Sequence, residues 1–357
     1  MVYAPGRRWR PLPDAISKTT NTIHVKKEYL IMKKVISLIL VLVMVLSLFA
    51  GCSSSEPAAT SDKALRVAIV QQLDHSSLDE IRTAISARLN ELAPEKALIL
   101  AIDEYNGQND NSVLGQIGAQ ITDKKTDLII PIGTLAATSM VTAAEGTDTP
   151  IVYAAISDPE SAGLTGLPTV TGVSDALNTN FILDMMLAVQ PDVKTVGLLY
   201  SNSEVNSATP IAEAKKYLDS KGIAYLEKTG NTSGEIVEAA ASLVGRVDAV
   251  FTPTDNVVMA AEASVAEALN GAGIAHYTGA DSFVLSGAFA TCGVNYTELG
   301  TKVADMAFEV LMGGAVPEDF HVMEGGIITV NTETAKALNI DYSPFSKMAN
   351  TVKEIGE

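Results

Sequence analysis

The sequence predicts an α/β protein of two lobes, each a doubly wound parallel sheet covered by helices on both faces. Three observations carry this. Short runs rich in β-branched residues alternate with stretches whose apolar residues recur at three- and four-residue spacing, the helical period. The strand runs are apolar throughout, as in strands covered on both faces. The cycle also restarts after Pro191, in a chain whose folded part holds about 300 residues, more than one core comfortably serves.

Taken in order, LRVAIVQ (Leu65 to Gln71) is the first strand. The segment behind it carries Leu78, Ile81, Ile85, Leu89 and Leu92 on a single helical stripe. ALILAID follows, then a helix bearing Val113, Leu114, Ile117 and Ile121. DLIIPIG, a helix from Leu135 to Ala144, PIVYAAIS and VTGV (Val170 to Val173) complete the first set. A helix from Phe181 is ended by Pro191, which can neither donate to nor fit inside a helix. The second set runs VKTVGLLYS, a helix from Ile211 to Leu218, IAYLEKT, a helix from Ile236 to Val244, VDAVFTPTD, and a helix from Val258 to Leu269. IAHYTGA and GAFATCGV are further strands. A long helix carries Leu299, Val303, Met306, Ala307, Val310 and Leu311, and GIITV with a short helix from Thr334 closes the chain.

The beginning of the sequence has a different character. From Met32, two lysines precede an apolar run from Val35 to Ala50, which ends at Gly51, Cys52 and a serine cluster. The run is at the short end of what spans a bilayer, and it has the basic, apolar and small-residue order of an export signal. Its end resembles a bacterial lipobox, which makes Cys52 the lipid attachment point and residues 52–64 a flexible tether. Residues 1–31 are basic and contain proline, with no apolar periodicity, so translation is expected to start at Met32. A precursor beginning at Met1 would refute that.

The chain holds 25 basic and 42 acidic residues, net −17; from Cys52 onward it holds 17 and 40, net −23. Such a surface disfavours nucleic acid, whose binding rests on neutralising phosphates. With Cys52 lipidated, Cys292 is left alone in an apolar strand, so no internal disulfide forms and the thiol is expected to be a small buried hydrophobe. His75, His276 and His321 lie far apart, which argues against a metal centre, and no cofactor motif follows any strand. His276 reads as a satisfied core residue. No nucleophile elbow or P-loop is present, so catalytic signals are weak.

In open parallel sheets, ligands bind beyond the carboxyl ends of the strands. The residues there are polar: Gln71, Gln72, Asp74 and His75; Gly133 and Thr134; Ser157 and Asp158; Ser201 and Asn202; Thr252, Thr254, Asp255 and Asn256; Asp281 and Ser282. Asp158-Pro159 has the pattern of an N-cap followed by proline in the first helical position. Thr134 precedes one helix and Thr254 or Asp255 another, and helix N-termini suit carboxylates or phosphates. The candidate ligand-binding set is Gln71, His75, Gly133, Thr134, Ser157, Asp158, Ser201, Asn202, Thr254, Asp255, Asn256 and Asp281.

VAIVQQLDHSSLD, DLIIPIGTLAATS, PIVYAAISDPESAGL, VTGVSD, VGLLYSNSEVNS, VDAVFTPTDNVV and GVNYTELG, in this order from about Leu65 to Ile340, resemble the substrate-binding lipoproteins of ABC transporters, of the tryptophan/tyrosine-binding type. The resemblance implies a type I periplasmic-binding-protein fold with a three-crossover hinge. One lobe would be 65–174 plus 294–325 and the other 175–293 plus 326–348, with crossings near Ser174, Val294 and Gly326. It implies a small amino-acid-like ligand, an aromatic amino acid first, handed to an ABC permease and its ATPase. The protein would then be tethered through Cys52 on the outer face of the cytoplasmic membrane. On that reading, helix ends near Thr134, Ser157 and Ser201 would hold a carboxylate and Asp255 or Asp281 an ammonium. Tyr153, Leu73, Tyr200 or Phe251 would wall the side chain. A sensory lipoprotein and a cleft hydrolase are the alternatives.

Overall fold

A computed structural model describes residues 64–356. The expected export signal, Cys52 and the first 31 residues lie outside the described residues. Among the described residues, no helix is long and apolar enough to cross a membrane.

The strands form two sheets. In the first lobe, β1 (Leu65–Gln71) is flanked by β2 (Leu100–Asn106) and β3 (Leu128–Ile132), and β4 (Ile151–Ala154), β5 (Val170–Ser174) and β11 (His321–Val322) extend it, all parallel. In the second, β7 (Ala224–Thr229), β6 (Thr195–Tyr200), β8 (Ala249–Thr252), β9 (Ala275–Thr278) and β10 (Ala290–Gly293) run parallel in that order. The expectation of wholly parallel sheets needs one correction, because β12 (Ile327–Asn331) returns antiparallel to β10. A last edge strand, β13 (Thr351–Ile355), which the sequence reading did not include, pairs parallel with β12.

The helices follow from apolar stripes and caps. α1 (Ser76–Glu95) buries Leu78, Ile81, Ile85 and Leu89 along one face. α2 (Asn111–Asp123) starts where the Asp110 carboxylate accepts from the N–H groups of Ser112 and Val113. α3 (Thr134–Ala143) follows β3. α4 (Thr179–Val189) starts under the Asn178 cap and stops before Pro191. α5 (Ala208–Lys221) ends on Gly222 at φ +67°, a left-handed C-cap that glycine adopts without strain. α6 (Ser233–Ala241) starts under the Thr232 cap. The helix expected from Val258 to Leu269 is two helices, α7 (Asn256–Met259) and α8 (Glu262–Gly271), separated at Ala260 and Ala261. α9 (Asp281–Leu285) is a short helix where only a strand end had been expected. α10 (Tyr296–Leu311) packs its Leu299, Val303 and Ala307 side against α1, and α11 (Thr332–Leu338) follows β12. Asp158 does not cap a helix: it accepts from the Ser161 N–H across a turn, and no helix follows Pro159.

The chain changes lobe between Ser174 and Thr179, between Gly293 and Tyr296, and between Val322 and Ile327. Each sheet is covered on both faces by apolar clusters. One contains Leu183, Phe251 and Phe289 in the second lobe, another Ile117, Met140 and Tyr153 in the first, and the largest has members in both lobes. Cys292 and His276 are buried in the second lobe.

Candidate functional site

The carboxyl ends of the two sheets face one another across a small cavity of about 30 Å³. The lobes meet around it through direct hydrogen bonds. Gln72 Nε2 donates to Glu204 Oε1 at 2.8 Å, His75 Nε2 lies 2.9 Å from Asn256 Oδ1, Ser157 Oγ lies 2.9 Å from Thr254 Oγ1, and Thr209 Oγ1 donates to Asp158 Oδ2 at 2.5 Å.

Three helices begin at this cavity without a cap from the side chain at their N-cap position: α1 at His75, α3 at Gly133 and α9 at Ala280. Elsewhere Asp110, Asn178, Thr232, Asn295 and Asn331 cap their helices, while α5 at Ser207 and α8 at Ala261 also start without a side-chain cap. At α3 a distant side chain helps: Gln72 Oε1 accepts from the Leu135 N–H at 3.0 Å. The hydroxyls of Ser77 and Ser282, in the first turns of α1 and α9, are buried and have no protein partner. Burying a polar group without a partner costs free energy, so these positions call for one.

Acceptors line the same cavity. Asn206 donates its Nδ2 to the Thr254 carbonyl at 2.7 Å, leaving its Oδ1 buried and unpaired. The His75 ring is partly exposed, yet its Nδ1 is shut off from solvent without a partner. Asp175 follows β5 and is buried, accepting from Ser157 Oγ at 2.9 Å and Tyr296 OH at 3.2 Å. Burial pushes its carboxyl pKa up, against those two hydrogen bonds. A cationic ligand group would offset that cost.

Of the candidates read from the sequence, His75, Thr134, Ser157, Thr254, Asp255 and Asn256 all border the cavity. Others serve the scaffold. Asp255 accepts four protein hydrogen bonds, from the Ser201, Val257 and Val258 N–H groups and from Ser207 Oγ. Ser201 therefore supports α7. Gln71 ties β1 to α1, donating to the Leu73 carbonyl and to Asp79 and accepting from Arg82. Asn202 donates to Thr229 on the far side of β6. Gly133 sits at φ +91° with Gln72 packed where a Cβ would go. Asp281 lies in a separate surface cleft, 3.4 Å from Lys353 Nζ. The side-chain wall also differs from expectation. Tyr153 and Phe251 are in the cores, Tyr200 bonds Glu227, and none of these nor Leu73 lines the cavity; Leu78, Met259 and Phe283 do. Sequence reasoning passed over Asp175, Asn206, Ser77 and Tyr296. Asp175 had a usable signal, since it directly follows a strand, whereas Asn206 lies in a single 3-10 turn (Val205–Ser207) leading into α5, which no apolar pattern marks.

A family model described as ABC transporter substrate binding protein matches residues 66–353. The chain belongs to that family. Its members are binding proteins of transporters, not enzymes. The chain is 31% identical, over 86% of its length and 93% of the relative's, to a protein of Clostridioides difficile (strain R20291) named a tyrosine-binding protein. A Streptococcus pneumoniae ABC domain in complex with L-Trp matches it with a TM-score of 0.75 at 28% identity, covering 81% of this chain and 99% of that one. The ligand-free, open structure of a Clostridium difficile substrate-binding protein with adhesive properties matches at 0.62 and 30% identity, covering 82% and 99%. The two-lobed parallel-sheet fold is shared with both.

Proposed function

We propose that this binding protein takes up one free amino acid with an aromatic side chain between its lobes. The carrying observation is the cavity's lining. Uncapped helix starts and the unpaired Ser77 and Ser282 hydroxyls offer hydrogens to a carboxylate. The unpaired His75 Nδ1 and Asn206 Oδ1, with the Asp175 carboxylate, offer acceptors to an ammonium. Leu78, Met259 and Phe283 supply an apolar wall. The higher TM-score with the L-Trp complex than with the open structure supports a closed arrangement of the lobes, as hinge closure around a solute requires. The tyrosine- and tryptophan-binding relatives support the ligand class.

In this reading the protein is an extracytoplasmic receptor tethered through Cys52, delivering its ligand to an ABC permease driven by an ATPase. A thermal-shift screen tests the ligand class: tyrosine or tryptophan at about 100 times its dissociation constant should stabilise by about 2.7 kcal/mol. No shift with any aromatic amino acid would refute it. Metabolic labelling with a fatty acid, lost in Cys52→Ala, tests the tether.

A further inference from the structure

The donors and acceptors between Gln72 and His75 can be assigned from one fixed point. The Leu135 N–H donates to Gln72 Oε1, which settles which end of that amide is oxygen. Its Nε2 then donates twice, to Asn109 Oδ1 at 2.9 Å and across the lobes to Glu204 Oε1 at 2.8 Å. The other Glu204 oxygen, Oε2, accepts from Asn256 Nδ2 at 2.6 Å. That turns Asn256 Oδ1 toward His75 Nε2, 2.9 Å away across the lobes, so Nε2 carries the hydrogen. A neutral imidazole has only one, which leaves the solvent-excluded Nδ1 as a bare acceptor on a residue that lines the cavity.

We propose that Glu204 is a proton switch acting through Asn256: it sets the tautomer of His75, and so decides whether the cavity wall presents the ligand with an acceptor or a donor. While Glu204 is ionised it only accepts, and the chain runs as described. When Oε2 takes up a proton it donates, and the Asn256 amide turns over to offer Oδ1 to Glu204 and Nδ2 to His75. Nε2 becomes the acceptor and the single ring proton moves to Nδ1. One proton is gained at Glu204, and the ring keeps one throughout. The resulting N–H opposes an ammonium.

The surrounding charges favour this division of labour. Burial, and then the nearby Asp255 charge, raise the Glu204 pKa to about 7. Burial raises the pKa of Asp255 as well, but the four hydrogen bonds it accepts oppose that rise and leave Glu204, with fewer donors, the better place for a shared proton. Burial lowers the pKa of His75 and so favours the neutral ring, against the Asn256 hydrogen bond and then the charges of Asp79 and Asp74, which raise it. Asp175 borders the same cavity from the end of β5. The consequence for binding rests on the amino-acid reading above, since it needs a ligand ammonium; the tautomer does not.

The test uses the full chain labelled with ¹⁵N-histidine. Long-range ¹H–¹⁵N spectra, with the His75 signals assigned by their loss in His75→Gln, should show the Nε2–H tautomer near pH 8.5 and the Nδ1–H tautomer near pH 5.5. In Glu204→Gln, the carboxamide oxygen must face Gln72 and its NH₂ must face Asn256, so Nδ1–H is expected at both pH values. One unchanging tautomer in the unaltered protein overturns the switch, with or without a folded variant. Calorimetry with L-tyrosine should then show about tenfold tighter binding at pH 8 than at pH 6, the change in ionised fraction about a pKa of 7. Glu204→Gln should bind weakly and without pH dependence. Tyrosine binding that is independent of pH overturns the link to affinity. If no amino acid binds, the ligand assignment fails while the spectra still decide the switch.

Discussion

Asp255 and Asp175 are both buried carboxylates near strand ends, and they differ in who supplies their hydrogens. Asp255 draws four from its own lobe, two of them from the first turn of α7, so it is a cap and a brace. Asp255→Asn leaves buried donors unpaired and should lower stability by about 1–3 kcal/mol in urea unfolding. Asp175 draws two, from Ser157 and Tyr296, and its burial disfavours the charge. Asp175→Asn should leave the free protein's melting temperature unchanged or higher, yet weaken amino-acid binding by about 2–5 kcal/mol in calorimetry. Unchanged affinity would remove Asp175 from the site. Sequence alone could not separate these two residues. Each is an acidic residue near the end of an apolar run, and only the fold shows that Ser201, Ser207 and α7 converge on Asp255. Asn206 was illegible for the same reason: its unpaired oxygen is created by the Thr254 carbonyl, 48 residues away.

The elements that carry long apolar stripes were the legible ones. The α1 and α10 stripes read from the sequence are the faces that meet in the first lobe's core. Their crossing depends on Gly300, where a Cβ would stand 2.7 Å from both Ala84 Cβ and the Ile81 carbonyl oxygen. Gly300→Ala gains about 1 kcal/mol of helix propensity, but backbone on one side of the contact cannot swing away. Overpacking of this kind costs about 1–3 kcal/mol. The variant should therefore be less stable than the parent by urea unfolding, and a more stable variant would show that the crossing has slack. Where periodicity gives out, the reading erred. β13 is an edge strand of mostly exposed residues around Lys353 and Glu354, so no apolar run announces it. The α7–α8 break falls in a small apolar stretch with no glycine or proline to mark it. The antiparallel return of β12 follows from the last lobe crossing, which a single strand's composition does not encode.

At the scale of the molecule, buried carboxyls at the lobe boundary and inside the second lobe set a pH dependence. The pKa values of Glu204, Asp175 and Glu262 are all raised, chiefly by burial. A raised acid in the folded state still holds its proton after the unfolded chain has released it. Stability is then greatest below the ordinary carboxyl value and falls as pH rises through the folded one. For Glu204, between 4.5 and about 7, the loss is roughly 3 kcal/mol. The free protein should therefore melt several degrees higher at pH 5.5 than at pH 8 by calorimetry, and the reverse order would contradict the burial of these groups. The two-lobe architecture was legible because the strand–helix cycle restarts after Pro191. The closed cavity was not, because it exists only where two sheets, distant in sequence, present their ends to each other.

The central claim is that the cavity matches both ends of a zwitterion, with acceptors at His75, Asn206 and Asp175 and donors at the starts of α1 and α9. Calorimetry of the full-length protein with L-tyrosine, tyramine and 3-(4-hydroxyphenyl)propionate tests it most directly, since the last two lack the carboxylate and the ammonium respectively. The account predicts one L-tyrosine per chain, with each analogue weaker by at least about 30-fold, the cost of one lost charged partner. Equal affinity for either analogue, or no binding of L-tyrosine, L-tryptophan or L-phenylalanine, would contradict it.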